Sequence, residues 1–142
     1  PGDYFFGTIA QGAAKVLRAG GLLGVGSHGE VPGFGIHWEM QAYAAGGMTP
    51  REVLHAVTMG SAETIGRQDE IGSLTPGKYA DLVILQKNPL DDIRNTLSII
   101  QVMKNGRLYD ANTLDEVYPE IRPLAPQWFS SERDEPGVPA PH

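Results

Sequence analysis

The sequence predicts an α/β fold, and three observations carry that expectation. A helical periodicity runs into a short, uniformly apolar segment, two further helical patterns follow, and from Ile71 onward the pattern turns to β with an Asn-Gly hairpin signal. In the first helix Ile9, Ala13, Val16 and Leu17 fall at i, i+4, i+7 and i+8, so they are the expected buried face, and Gly20 is placed to end the helix in the left-handed region. Leu22 to Ser27 lacks polar alternation, as does a strand covered on both faces in a parallel sheet. After a glycine-rich loop, Ile36, Met40, Tyr43 and Ala44 repeat the helical spacing, and Gly46-Gly47 closes that helix.

Thr49-Pro50-Arg51-Glu52 is a capping box with proline at the first helical position, opening a third helix whose expected buried face is Val53, Leu54 and Val57. Thr75-Pro76-Gly77-Lys78 carries the Pro-Gly of a type II turn, and Ala80 to Leu85 reads as a strand holding one acid, Asp81. Ser98 to Lys104 and Arg107 to Tyr109 flank Asn105-Gly106, the pair that supplies the positive φ angles of a type I′ turn. Six of the eleven prolines lie between Pro119 and Pro141, so 119–142 is expected to be an extended tail, with Trp128 and Phe129 available to dock. Charge is also uneven: residues 110–142 hold seven acids and two bases, residues 1–109 ten and nine.

Composition narrows the function. At 142 residues the chain suits one ordinary domain and excludes a complete (β/α)8 barrel, which needs roughly 250 residues. Hydrophobic residues at 41% and charged residues at 20% predict a core rather than a disordered chain. The lack of cysteine removes disulfides, thiolate metal sites and cysteine nucleophiles, and leaves cytoplasm and periplasm equally open. A net charge of −6 argues against a nucleic-acid partner, and no apolar run of the roughly 18 residues needed to span a membrane is present, so a soluble chain is expected. The first residue, Pro1, suggests processing or a start inside a longer reading frame.

Four histidines are the candidate reactive groups. His28 follows the apolar segment directly, in Gly26-Ser27-His28-Gly29-Glu30, and functional side chains in α/β proteins project from the carboxyl ends of strands. It is a candidate metal ligand or base, or else a histidine hydrogen-bonded within its loop. Glu30 is either a base or a solvated loop acid. His37 and Glu39 lie at i and i+2, about 200° apart on a helix, so they cannot chelate one ion side by side. His37 is either a substrate contact or an anchor at the helix entrance. His55 reads as a surface histidine, His142 is terminal, and Asp81 reads as an acceptor for turn N–H groups. No phosphate-binding glycine loop and no Gly-x-Ser-x-Gly elbow is present.

The succession GLLGVGSHGEVPGFGIHWEMQAYAAGGMTPREVLHAVTMGSAETIG, then IGSLTPGKYADLVILQKNPLDDI, then IIQVMKNGRLYD resembles the carboxyl-terminal third of a metal-dependent amidohydrolase of the imidazolonepropionase and prolidase-like superfamily. The likeness covers roughly residues 12–119, and the continuation DANTLDEVYP resembles the branch fused to a TolB-like propeller.

The resemblance implies an architecture: the last βα unit of a (β/α)8 barrel over residues 1–66, with Leu22–Ser27 as the eighth strand; part of a small β-sandwich over 67–112; and a proline-rich acidic tail over 113–142. It implies a parent that hydrolyses C–N bonds of cyclic amides or dipeptide-like small molecules with one or two divalent ions, commonly zinc, that activate water. In that family the position after the eighth strand is an aspartate, and here it is His28. An imidazole can bind metal or take a proton but adds no negative charge, so His28 is the expected ligand of a variant site unless another acid such as Glu30 serves. The other ligands belong to earlier strands, so this chain alone is expected to be inactive, to bind no metal tightly, and to partner the remainder of the barrel. Uncovered apolar faces also predict self-association. The competing expectation is a non-catalytic binding or assembly module built on the same fold.

Overall fold

A computed structural model of the chain describes residues 6–28 and 31–127. Helix α1 (Phe6–Arg18) carries Lys15 and Arg18 in its last turn, where positive charge complements the helix dipole, and the chain leaves it through Gly20 at φ +84°. The face α1 buries is turned from the expected one and keeps only Leu17 of it against the core. Ala10 and Ala14 turn inward with Leu17 beside them, while Ile9 is 71% and Val16 50% exposed. Close approach is the reason: a Cβ on Gly46, just after α2, would stand 2.5 Å from Ala10, so only small residues fit this contact.

Helix α2 (Gly35–Ala45) buries His37 and Met40. Helix α3 (Pro50–His55) begins with the predicted capping box: Thr49 Oγ1 accepts the Glu52 N–H at 3.3 Å, and Glu52 Oε2 accepts the Thr49 N–H at 2.7 Å. Arg18 fastens this corner, donating to both Glu52 carboxylate oxygens at 3.0 and 3.1 Å and to the Gly47 carbonyl at 2.7 Å. The Arg18 guanidinium and the Thr49 N–H together hold the Glu52 carboxyl down at about 2. After α3 the helix widens into a π-helical turn (Ala56–Gly60) and ends as α4 (Ser61–Thr64), with Gly66 at φ +69°. The core gathers Ala14, Met40, Val53 and Ala56 from these helices and Met48 from the connection between α2 and α3, and Ile93 joins it from a 3₁₀ segment (Ile93–Leu97) on the sheet side.

Strands β1 (Leu82–Leu85), β2 (Ile99–Lys104), β3 (Arg107–Asp110) and β4 (Glu116–Tyr118) form one antiparallel sheet in the order β1-β2-β3-β4. Asn105 and Gly106, at φ +50° and +80°, join β2 to β3 with Lys104 opposite Arg107, the geometry of the predicted type I′ hairpin. The Pro76-Gly77 turn also forms, with Gly77 at φ +95° and the Lys78 N–H on Thr75 O at 3.2 Å. Asp81 accepts the Asn105 N–H at 2.6 Å and pairs with Lys104, so it acts as the structural acceptor expected of it.

Two departures concern the β structure. Strand β4 lies within the stretch expected to be tail: Glu116 is buried there because Arg107 meets its carboxylate at 3.0 and 2.6 Å, and its backbone bridges Arg122. A charged residue in a three-residue strand carries no hydrophobic pattern by which to find it. Conversely, Leu22–Ser27 forms no strand among the described residues. A strand needs a ladder partner, and the four described strands pair with one another. The described sheet is a single layer, and a second sandwich sheet is not among the described residues. Trp128, Phe129 and His142 lie outside the described residues.

Candidate active site

Without a ladder, the backbone of Gly24–Gly26 is held by side chains from two helices. Glu39 Oε2 accepts the Gly26 N–H at 3.0 Å, and Tyr43, one turn further along α2, donates its hydroxyl toward Gly24 O at 3.0 Å and Glu39 Oε1 at 3.2 Å. From the other flank Ser61 Oγ accepts the Val25 N–H at 3.1 Å while donating to Ala56 O at 2.9 Å. In an extended chain the backbone groups of successive residues point to opposite edges, so Gly24 and Gly26 face α2 while Val25 faces Ser61. Gly60 completes the clamp, since a Cβ there would lie 2.2 Å from Leu23 O. Burial and the Glu39 carboxylate push the Tyr43 hydroxyl up to about 12, so it remains a proton donor at neutral pH.

His28 stands at the end of this held segment, exposed, with φ at +57°. A residue with a side chain rarely adopts that conformation, and such strain concentrates at functional sites. Glu30 lies outside the described residues. His37 is placed elsewhere: it is 8% exposed, and its Nδ1 lies 2.9 Å from Thr96 Oγ1. The Thr96 hydroxyl gives its own hydrogen to Ile93 O at 2.8 Å, so His37 Nδ1 must be the donor and Nε2 the unprotonated nitrogen. Burial lowers the His37 pKa, which keeps the ring neutral. His37 thus ties α2 to the 3₁₀ segment, whereas Glu39, two residues on, reaches back to Gly26, in keeping with the angle between them on the helix. His55 is exposed at the end of α3.

Sequence reasoning missed Glu39, Tyr43, Ser61 and Thr96. The i, i+4 spacing of Glu39 and Tyr43 was the available signal, and nothing in the sequence points from Thr96 to His37, 59 residues away. Among the described residues no three His, Asp or Glu side chains come together as a cation site, so the donor set here does not by itself fit a divalent metal; His28 is a single donor. Between the helices and the sheet runs a largely apolar cleft of about 1190 Å³, lined by Gly24–Gly26, Met40, Leu54, Val57, Leu82 and Val102 among others. No helix among the described residues is long and apolar enough to cross a membrane.

Known proteins similar to this chain are hydrolases. The model of the amidohydrolase family matches residues 9–109, and the chain belongs to that family. An imidazolonepropionase of Geobacillus sp. (strain WCH70) is 35% identical over 122 residues, covering 76% of this chain and 27% of that protein. An ochratoxinase of Aspergillus niger is 36% identical over 104 residues, covering 70% of this chain and 21% of that protein. Among solved structures, a Xaa-Pro dipeptidase with methionine bound in its active site is 28% identical with a TM-score of 0.64, over 72% of this chain and 26% of that one. The chain therefore spans about a quarter of the length of the relatives it matches.

Proposed function

We propose that this chain is the carboxyl-terminal portion of a metal-dependent amidohydrolase that hydrolyses C–N bonds in cyclic amides or dipeptide-like substrates. In this reading Leu22–Ser27 is the last barrel strand, 67–112 is part of the accompanying β-sandwich, and the remainder of the barrel covers the apolar cleft. The observation that carries it is His28: in a chain of this family, a histidine with positive φ follows a segment that two helices hold in place. When bound, a divalent ion, zinc in this reading, supplies the activation of water. Among its described residues this chain offers it His28, and in this reading the other donors belong to earlier parts of the barrel.

The contribution of this chain is to present the His28 imidazole at the mouth of the barrel, where it can hold a ligand or take up a proton. Glu30 remains a second candidate base, and a substrate contact by His37 is the least supported role, because its Nδ1 is engaged with Thr96. Alone, the chain is inactive in this reading. The finer placement in the branch fused to a TolB-like propeller rests on DANTLDEVYP.

The test is His28→Ala in the full-length protein. We expect loss of metal and a fall in hydrolysis of a Xaa-Pro dipeptide of about 10²-fold or more, the usual scale for an acid–base group. Unchanged metal content and unchanged hydrolysis would remove His28 from the site. The second reading, a non-catalytic binding or assembly module on the same fold, would be favoured by a chain that stays monomeric despite the exposed apolar side chains Ile9, Val16 and Leu22.

A further inference from the structure

We propose that Glu39 is a positioning residue, which, with Tyr43 behind it, sets where His28 stands. The inference rests on the reading of His28 as the active-site histidine. Gly26 is two residues before His28, and its N–H is taken by Glu39 Oε2 at 3.0 Å. The other carboxylate oxygen meets the Tyr43 hydroxyl, which also reaches Gly24 O, so a single helical turn of α2 grips one edge of the segment at two points. Ser61 grips the opposite edge at Val25. Bonds on both edges leave the segment little freedom to twist or slide, and the positive φ of His28 lies two residues past the last gripped residue, Gly26.

The Gly26 amide lies at the carboxyl end of the apolar segment, where a strand ladder would run out and a side-chain acceptor must take over. A carboxylate suits that place better than an amide or hydroxyl, because a charged acceptor makes the stronger bond to a backbone N–H. Glu39 touches no reacting atom in this account. It acts only through the position of His28, and a displacement of about 1 Å at a catalytic group is enough to cost about 10²-fold in rate.

The experiment is a double-mutant cycle in the full-length protein with a Xaa-Pro dipeptide as probe, paired with amide hydrogen exchange over residues 22–28. Glu39→Ala is expected to speed exchange of the Gly26 amide and lower kcat about 10- to 100-fold with KM changed less than about twofold. Glu39→Gln, which keeps an acceptor oxygen, should restore most of both. In the His28→Ala background the Glu39→Ala change should cost little more, because residues acting through one another are not additive. Unaltered exchange in Glu39→Ala, or a loss that adds in full to that of His28→Ala, overturns the inference. If His28→Ala alone leaves hydrolysis intact, the functional reading falls, and the exchange of Gly26 then decides by itself whether Glu39 holds the segment.

Discussion

At the residue scale, the same helix turn produces two opposite outcomes. His37 and Glu39 leave α2 in different directions, one into the body of the protein against Thr96 and the other to the Gly26 amide. Burial lowers the His37 pKa, which has a defined sign for stability: below the ordinary histidine pKa of about 6.5 the unfolded chain takes up a proton that the folded one resists, so the fold weakens as pH falls from there through the depressed value. Thermal unfolding at pH 7.5 and 5.5 is expected to show a lower midpoint at the acid pH, and His37→Gln, which still donates to Thr96 but does not titrate, should reduce that difference. An undiminished difference in the variant would assign the acid sensitivity to another group.

At the scale of elements, the helical return from Thr49 to Gly66 shows how local rules and tertiary contacts divide the work. Its start is local: Thr49→Ala should cost about 1 kcal/mol in chemical denaturation, while Thr49→Ser should cost little, because the cap needs only the hydroxyl. Its middle is tertiary. Replacing a glycine within a helix by alanine ordinarily stabilises by up to about 1 kcal/mol. At Gly60 the sign should reverse, with a loss of about 1–3 kcal/mol, because the new methyl meets the Leu23 carbonyl at 2.2 Å and displaces the held segment. A stabilised Gly60→Ala variant would mean that the segment shifts freely. The π-helical turn falls at the same place, carrying Gly60 toward Leu23 and placing Ser61 beside Val25.

At the scale of the whole molecule, the apolar surface is divided between a core and faces left exposed among the described residues. Helix α1 buries Ala10 and Ala14 and leaves Ile9 and Val16 outward, and Leu22 at the start of the segment is exposed as well. Covering such side chains is worth roughly 25 cal/mol per Å² of apolar area, so the chain by itself should associate. Sedimentation is expected to show dimers or larger species that dissociate when Ile9 and Val16 are changed to Lys. A monomer at all concentrations would favour a self-contained module over a part that fits a larger barrel.

The helices, the capping box, the Pro-Gly turn and the Asn-Gly hairpin were legible in the sequence because each rests on a local rule: a periodicity of 3.6, a side chain within reach of the next turn, or a glycine where φ is positive. The place of His28, just past an apolar run, was legible for a related reason, and its role is the one proposed above. The rest depended on contacts between distant residues. Which face of α1 is buried was decided by the approach of Gly46 to Ala10, a distance no periodicity encodes. Strand β4 was decided by Arg107 meeting Glu116 across the sheet, and the state of Leu22–Ser27 by what lies beside it. Local propensity determined where elements could form, and tertiary structure decided which backbone groups found partners; for the segment before His28 those partners are Glu39, Tyr43 and Ser61, because an unpaired backbone group must bond to whatever donor or acceptor the fold brings within reach.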